Sequence, residues 1–594
     1  MATTGSGANV NLLLEDVAKK CQTGIQSRLV DLLEIAAYVY AADCRAKRDG
    51  VWEDVADPEP WRRDFQFVIP VRDVAFWSSP ETAGALAGVL NFLSDDSFAF
   101  TFVPARHLDA IPPYLALGAM EEWPFCGVER VALFSGGLDS FAGIVETANR
   151  KEKQVLVSHR PVSIKDNHQR MLFSELNCRF PASLVHVPVW VNKDVNMGRE
   201  HTQRTRSFLY CALGATVAAS VNAKGVRFFE NGVISLNLPV ADEVVGARAS
   251  RTTHPHALHL FQQFFSRVLG RDCIVDNPYL FKTKTDIVSI IAANGCGDLI
   301  GKTVSCSHSF FKAKGQQHCG RCGQCIDRRI AVLAAGQADN DPETDYEVDV
   351  FTGRRDEGYE INIAVDYVRL ATELNRWDEQ QIGTRFNSHL GRAVRDLPNR
   401  TQAAQDFARM LKRHAEAATS VVKAQINAHS DSVMDGTLEK TSLLARVFGG
   451  EHRVACWRRF ADRIVEVLRK GLPSLCATHA PEDEPRLQQI CDGLLHASDI
   501  NLRREFPYIC WSSKLTKPDF ASEVNTLIVE LKYLREKKDE AAIVRAIAED
   551  ITKYGDSGYQ VLFIVYDRQH FITDDDEFAE PIRKRPSMMV EFVR

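Results

Sequence analysis

Residues 131–140 read VALFSGGLDS, and the fold of the long segment around them turns on how this stretch is read. Four apolar residues, Val131 to Phe134, run straight into Ser135, Gly136 and Gly137. Beyond the loop, Phe141, Ile144, Val145 and Ala148 recur at helical spacing. The pattern predicts strand, tight glycine loop, helix. In that geometry successive backbone N–H groups, the helix N-terminus and the hydroxyls of Ser135 and Ser140 aim at one point and make an anion site. A Cβ on Gly136 or Gly137 would keep a phosphate away from the backbone. No Gly-Lys-Ser/Thr follows, so this is not a Walker A loop.

From 126 to about 335 the pattern alternates between strand and helix. Residues 154–158, 184–191 and 226–229 read as strands, and the small-residue-rich stretch 202–223 as a helix. Strands separated by helical stretches imply a parallel sheet with crossover helices. Ligands of such sheets sit beyond the carboxyl ends of the strands. That edge would carry the glycine loop, Glu230-Asn231-Gly232 and the loop through His254.

Residues 306–325, CSHSFFKAKGQQHCGRCGQC, hold Cys306, Cys319, Cys322 and Cys325, four of the chain's 15 cysteines, in a C-x12-C-x2-C-x2-C spacing. Paired CxxC sulfurs come from one turn, and with Cys306 brought back they complete a closed tetrahedral zinc site. An iron–sulfur cluster uses the same ligand type, and spacing alone leaves it open; zinc is the preferred reading. His308 and His318 are possible substitute ligands, but four thiolates suffice, and both histidines read as polar surface beside the knuckle. A closed four-cysteine site is structural: it pins the end of the domain and activates no water.

SGGLDS resembles the PP-loop of ATP pyrophosphatases, which split ATP between its α and β phosphates. Followed about 170 residues later by a cysteine knuckle ending CGRCGQCIDRR, it resembles QueC, the 7-cyano-7-deazaguanine synthase family, over 126–335. That resemblance implies ATP-dependent, AMP-forming adenylation of 7-carboxy-7-deazaguanine, then amide and nitrile formation. It implies that Ser135, Gly136, Gly137, Asp139 and Ser140 hold ATP phosphates and Mg2+. Lys284, in a Thr-Lys-x-x-Ile segment, would meet phosphate charge, and Glu230, Asn231, Gly232 and His254 would face the deazaguanine. The family's Tyr-Pro-Asp-Cys-Arg run is replaced here by RASRTTHPHA (248–257), and its Pro-Gly-Arg-Asn helix start is only loosely matched by Gln203-Arg204-Thr205-Arg206. Both departures lie on the acceptor side. Divergent QueC-like proteins with such a loop resemble members of bacterial antiphage operons (Qat-type and type IV CBASS), which implies a protein amine from the same operon as acceptor.

The C-terminal stretch 451–594 carries a third constellation. Glu482, Asp483 and Glu484 precede a helix over 485–495, and Arg503-Arg504-Glu505-Phe506-Pro507 leads to KLTKPDFASEVNTLIVELKYLREKKDE. Asn525 marks a turn, and the strand that follows delivers Glu530 and Lys532 to one face, because strand residues two apart point the same way. Asp519 comes from the preceding strand across the turn. Two carboxylates to hold Mg2+ and one lysine to orient water or meet phosphate charge make hydrolytic chemistry. A helix over 540–553 and a strand over 559–566 complete an αβ core, and the whole resembles a PD-(D/E)XK nuclease of the restriction-endonuclease kind. The plainer alternative makes Glu530 and Lys532 the polar end of a half-buried strand. Glu484 reads as an auxiliary metal ligand or, more simply, as a carboxylate favoured by the helix dipole.

Residues 1–125 read as an α+β accessory block with a long helix over 25–41, strands over 65–71 and 98–103, and a helix near 82–93. Trp61, Trp77 and Phe100 read as core. The acidic stretch 339–349 reads as a linker. Helical periodicity fills 361–447, through Ile363, Tyr367, Leu370, Leu374, Phe407 and Leu411, with no readable site. The fold class is therefore α/β: a parallel-sheet PP-loop domain (adenine nucleotide alpha hydrolase-like) with a zinc knuckle at 126–340, an N-terminal block at 1–125, a linker and helical region at 341–450 and a restriction-endonuclease-like domain at 451–594. A net charge of −6 argues against non-specific coating of nucleic acid. No long apolar run or secretory pattern is seen, and the scattered cysteines read as reduced thiols, so the expectation is a cytoplasmic protein off the membrane. The expected function is a deazaguanine-type ligase joined to a DNA-directed nuclease in antiphage defence. The alternatives are a nucleotide- or modified-base-sensing module that controls the nuclease, and a C-terminal fold that only grips DNA.

Overall fold

The computed structural model describes the chain except residues 1–8, 14–16, 18–20, 22–24, 48–62, 106–126, 161–162, 194–197, 199, 201–202, 237, 239–250, 308–315, 357–358, 451–455, 478, 499, 501, 505–508, 512–513, 523–526, 556–558 and 586. Trp61, His308, Phe506, Pro507, Asn525 and residues 248–250 of the altered loop lie outside the described residues. The chain divides into two units, Met1–Glu451 and His452–Arg594.

The first unit begins with β1 (Val10–Leu12), α1 (Ser27–Arg45), β2 (Asp64–Val71), α2 (Pro80–Ser94) and β3 (Ser97–Pro104). It continues through β4 (Val131–Leu133), α3 (Leu138–Asn149), β5 (Gln154–Arg160), α4 (Ser163–Arg179), β6 (Leu184–Lys193), α5 (Arg206–Ser220) and β7 (Gly225–Arg227). After these come α6 (Pro255–Leu269), β8 (Ile274–Asp276), α7 (Lys284–Ala293), α8 (Gly323–Ala334), α9 (Tyr359–Arg376) and α10 (Arg400–Ala428). The main sheet has the order β1-β6-β5-β4-β7-β8, parallel except for β1 against β6. β4 leads to β5 on one side and, after β6, the chain returns to β7 on the other, so strand order reverses between β4 and β7. Such a switch point opens a crevice at the carboxyl ends of the two strands. Side chains alternate as a pleated strand requires: Val131 and Leu133 enter one core with α1, α5 and α6, whereas Ala132 and Phe134 enter a second with α3 and α7. α5 starts at Arg206, later than the expected 202, because Thr205 donates its N–H and hydroxyl to buried Asp43.

β2 and β3 pair in parallel, with α2 as their crossover. A two-stranded sheet cannot bury its apolar face alone. Its Phe67, Ile69, Phe98 and Phe102 therefore join the core that holds β4, α5 and α6. Trp77 is buried and donates its indole N–H to Asp31 at 3.1 Å, so it is core as expected, whereas Phe100 is half-buried and stacks in a ladder with Phe67, Phe98 and Phe102 against that core.

The stretch 339–349 is not a linker. Asp341 is fully buried, accepts from Arg328 at 2.7 Å and from the Tyr346 hydroxyl at 2.7 Å, and ties this acidic segment to α8. Burial of a matching guanidinium opposite it overrides the composition.

The second unit contains α11 (Cys456–Leu475), α12 (Glu484–Ala497), β9 (Arg503–Arg504), the hairpin β10 (Ile509–Trp511) and β11 (Lys514–Thr516), β12 (Phe520–Ser522) and β13 (Leu527–Tyr533). α13 (Glu540–Tyr554), β14 (Gln560–Tyr566), α14 (Asp575–Arg583) and β15 (Met588–Val593) follow. Its five-stranded sheet runs β15-β14-β13-β12-β9, with β13, β14 and β15 parallel and β12 antiparallel to both neighbours. Leu527, Val529 and Leu531 face α11 and α12, while Ile528 enters the opposite core with Ile543 and Ile547 of α13. Glu530 and Lys532 share the Ile528 face.

Candidate functional site

In the second unit the strand register does what residue spacing predicts. β12 lies antiparallel to β13 with Phe520 opposite Val529, which sets Asp519 beside Leu531 and Glu530. Asp519 Oδ2 accepts the Leu531 N–H and Oδ1 accepts from Gln488 Nε2, both at 2.8 Å. Lys532 Nζ lies 3.0 Å from Glu530 Oε2 and 2.8 Å from Asp550 Oδ2, and Glu530 Oε1 accepts from the Tyr554 hydroxyl at 2.8 Å. Burial pushes Asp519 up to about 6. Burial, then the Asp519 charge, pushes Glu530 up to about 7. Burial alone would lower Lys532, but the Glu530 and Asp550 carboxylates outweigh it and hold the ammonium above its ordinary range. Glu484, at the start of α12, accepts the Tyr533 N–H at 3.3 Å, and burial raises its pKa in the neighbourhood of Lys532 and Glu530. It is thus both a helix-start carboxylate and a member of this acidic group. Asp519, Glu530, Asp550 and Glu484 thus form a buried acidic group around the Lys532 ammonium.

Residues 477–592 match the family model of the DpnII-MboI restriction endonucleases, REase_DpnII-MboI. This unit therefore carries a restriction-endonuclease-like domain, which indicates nuclease activity and DNA binding. Proteins with such domains typically use Mg2+. No curated protein matches the chain at a significant level. Asp550 and Tyr554 escaped the sequence reading. Their signal was positional: Ile543, Ile547, Asp550 and Tyr554 recur at helical spacing, so a carboxylate sits on the buried stripe of α13.

In the first unit the switch point gathers several predicted residues. β4 ends in the loop whose Gly136 has φ +84°, a left-handed value suited to glycine, and whose carbonyl accepts from Val304 N at 3.1 Å. Ser135 and Ser140 hydroxyls lie 3.1 Å apart, Gly137 N–H donates to Ser135 Oγ, and Ser140 Oγ–H donates to Gly137 O. Asp139 stands in the first turn of α3, where the helix dipole favours a carboxylate. Lys284 opens α7, whose start is set by a reciprocal Thr283–Asp286 cap, and its Nζ donates to Asp139 Oδ2 at 2.5 Å. Asn231 Nδ2 donates to Asp139 Oδ1 at 3.4 Å, while Asn277 clamps the backbone of Glu230. Burial, then Asp139, pushes Glu230 up to about 8; burial opposes the Lys284 charge, but Asp139, Asp327 and Glu230 prevail and raise its pKa.

Asp139, Glu230, Asn231 and Lys284 thus meet beside the glycine loop. Gly232 is a packing position: a Cβ there would stand 2.0 Å from Leu280 O and 2.3 Å from Met410 Sδ of α10. His254 sits in the altered loop, next to Thr253, whose hydroxyl lies 2.9 Å from that of Ser235. His254 Nδ1 accepts from His256 N at the start of α6, its ring packs on Phe92 of α2, and burial, then Arg251, pushes its pKa down to about 3. Among the described residues it shares no hydrogen bond or ion pair with the Asp139 group. Arg251 in the same loop pairs with Asp95, so two residues of the altered loop anchor it to the N-terminal block. The helical region also reaches this edge, because the Tyr367 hydroxyl of α9 donates to Asp327 of α8 at 2.9 Å.

Cys306, Cys319, Cys322 and Cys325 are all buried, and their sulfurs lie within 4.8 Å of one another. Tetrahedral Zn2+ with bonds of about 2.3 Å sets sulfurs about 3.8 Å apart. Cys319 to Cys325 is 3.8 Å and Cys322 to Cys325 is 3.5 Å, so the cluster can bind zinc. His318 is buried against Tyr346, at 4.9 Å between ring centroids, and is not the polar surface residue expected. Among the described residues no helix is long and apolar enough to cross a membrane.

Proposed function

We propose that this chain is a Mg2+-dependent DNA endonuclease whose first unit binds ATP at the 135–140 loop and adenylates a 7-deazaguanine carboxylate, in antiphage defence. The observation that carries the nuclease half is the meeting of Asp519, Glu530 and Lys532 inside a segment that matches a restriction-endonuclease family. Asp519 and Glu530 would hold Mg2+, which supplies charge neutralisation at the scissile phosphate. Lys532, charged and buried, meets the negative charge that grows on a non-bridging oxygen as water attacks phosphorus and the ester P–O bond breaks. Lys532→Ala should abolish Mg2+-dependent cleavage of plasmid DNA while the chain still retards DNA in a gel; a variant that cuts at the wild-type rate refutes the assignment.

The ATP half is supported by the glycine loop at the switch point and the Asp139–Lys284–Glu230–Asn231 group beside it. Loop N–H groups and the Ser135 and Ser140 hydroxyls would receive phosphate oxygens, Lys284 would offset their charge, and attack of a carboxylate oxygen on the α-phosphorus would expel pyrophosphate. An amine, of a protein in the fullest form of the proposal, then displaces AMP. With ATP and 7-carboxy-7-deazaguanine, wild type should release pyrophosphate and AMP, and Asp139→Ala should not. If wild type releases neither, adenylation fails, and the loop falls back to nucleotide or modified-base sensing.

A further inference from the structure

Lys532 has two acidic partners where the nuclease reading requires one. Its Nζ stands 3.0 Å from Glu530 Oε2 and 2.8 Å from Asp550 Oδ2, with all three side chains buried. The other Glu530 oxygen is held by the Tyr554 hydroxyl, one helical turn beyond Asp550 on α13. Asp519 likewise has both oxygens engaged, by Gln488 and by the Leu531 N–H. A cation on Glu530 Oε2 would share that oxygen with the Lys532 ammonium 3.0 Å away, and the two positive charges repel. A buried ammonium without a counter-charge is strongly unfavourable, so a lysine with Glu530 as its sole partner would compete with the metal for that oxygen. Asp550 relieves the competition. Lys553 Nζ holds its Oδ1 at 2.9 Å, which leaves Oδ2 turned to Lys532.

We propose that Asp550 is a positioning residue of this centre: it retains the Lys532 ammonium when Glu530 turns its carboxylate to a divalent cation. The proposal rests on the nuclease reading of the same site. Tyr554 fixes one oxygen of Glu530, Asp550 fixes the lysine, and the remaining freedom is the rotation that frees Oε2. An amide at 550 keeps the shape and loses the charge. Lys532 then closes on Glu530, and the cation meets an occupied ligand.

The test uses the full-length, zinc-loaded chain without DNA, titrated with Mn2+ and read from the electron paramagnetic resonance signal of free Mn2+. Glu530→Gln identifies the binding component that belongs to this centre. Asp550→Asn should weaken that component about tenfold, the scale on which partners of metal ligands act. Asp550→Glu, which restores the charge, should recover most of the loss, and the Mn2+ concentration for half-maximal DNA cleavage should move with the dissociation constant. A purely structural Asp550 would lower the melting temperature and leave the Mn2+ affinity of the folded protein unchanged, which overturns the proposal. So does an Asp550→Glu variant that binds no better than Asp550→Asn, or a wild-type chain with no Glu530-dependent binding. If wild type binds Mn2+ here with the expected variant order but cuts no DNA, the nuclease reading fails and the positioning role stands.

Discussion

Glu530→Gln separates what the nuclease centre contributes to stability from what it contributes to chemistry. In the folded unit Glu530 is pushed from an ordinary 4.5 up to about 7, chiefly by burial. Each tenfold change in proton affinity corresponds to about 1.4 kcal/mol, so ionised Glu530 costs the fold about 3 kcal/mol. The sign follows from linkage. The folded state holds this proton more tightly than the unfolded chain, so stability falls as pH rises from about 4.5 to about 7, and the deficit persists above that. Glutamine has no proton to lose, can accept from Tyr554 as Glu530 does, and leaves Lys532 paired with Asp550. In Mg2+-free buffer the variant should therefore gain on wild type by up to about 3 kcal/mol between pH 5 and pH 8, a net figure in which the attraction to Lys532 is already included. Urea unfolding at a series of pH values, followed on the transition that the substitution moves, measures this. Added Mg2+ should stabilise wild type and not the variant, and cleavage should vanish in the variant. A stability difference that is flat with pH, or a variant that still responds to Mg2+, would refute the reasoning.

Gly232→Ala places a Cβ against the Leu280 carbonyl and Met410 Sδ, so it should cost about 2–3 kcal/mol in the thermal unfolding of the first unit and depress ATP turnover by moving Glu230 and Asn231 from Asp139. Arg328→Met removes both N–H donors to Oδ1 of buried Asp341 and should destabilise the first unit by about 3–5 kcal/mol, read by calorimetry. Cys325→Ser should reduce the zinc content from one per chain towards zero by elemental analysis of gel-filtered protein, and make the first unit sensitive to proteolysis near 306–325.

Much of the candidate chemistry was legible because it is local. SGG between an apolar run and an amphipathic stretch dictates strand, loop and helix; CxxC spacing brings sulfurs to one turn; Glu-x-Lys on a strand puts both side chains on one face. The misreadings arise where composition is a poor guide to burial. The stretch 339–349 looks solvated until Arg328 is seen opposite Asp341. The ring contact between His254 and Phe92 was not legible either, because it depends on how α2 is set against the loop. Asp550 and Tyr554 look like ordinary residues of an amphipathic helix until α13 is laid on β13.

The amino-acid sequence by itself determined the alternation of strands and helices, the glycine turn after β4, the four-thiol cluster and the acid–lysine strand, since each depends on residues a few positions apart and on short-range backbone geometry. Tertiary structure alone decided which distant carboxylates share Lys532 and Lys284, and that Asp327 is held by a tyrosine from the helical region. Those partnerships depend on how helices are rotated and set against the sheet. Packing of whole apolar faces settles that rotation, and no short motif encodes it.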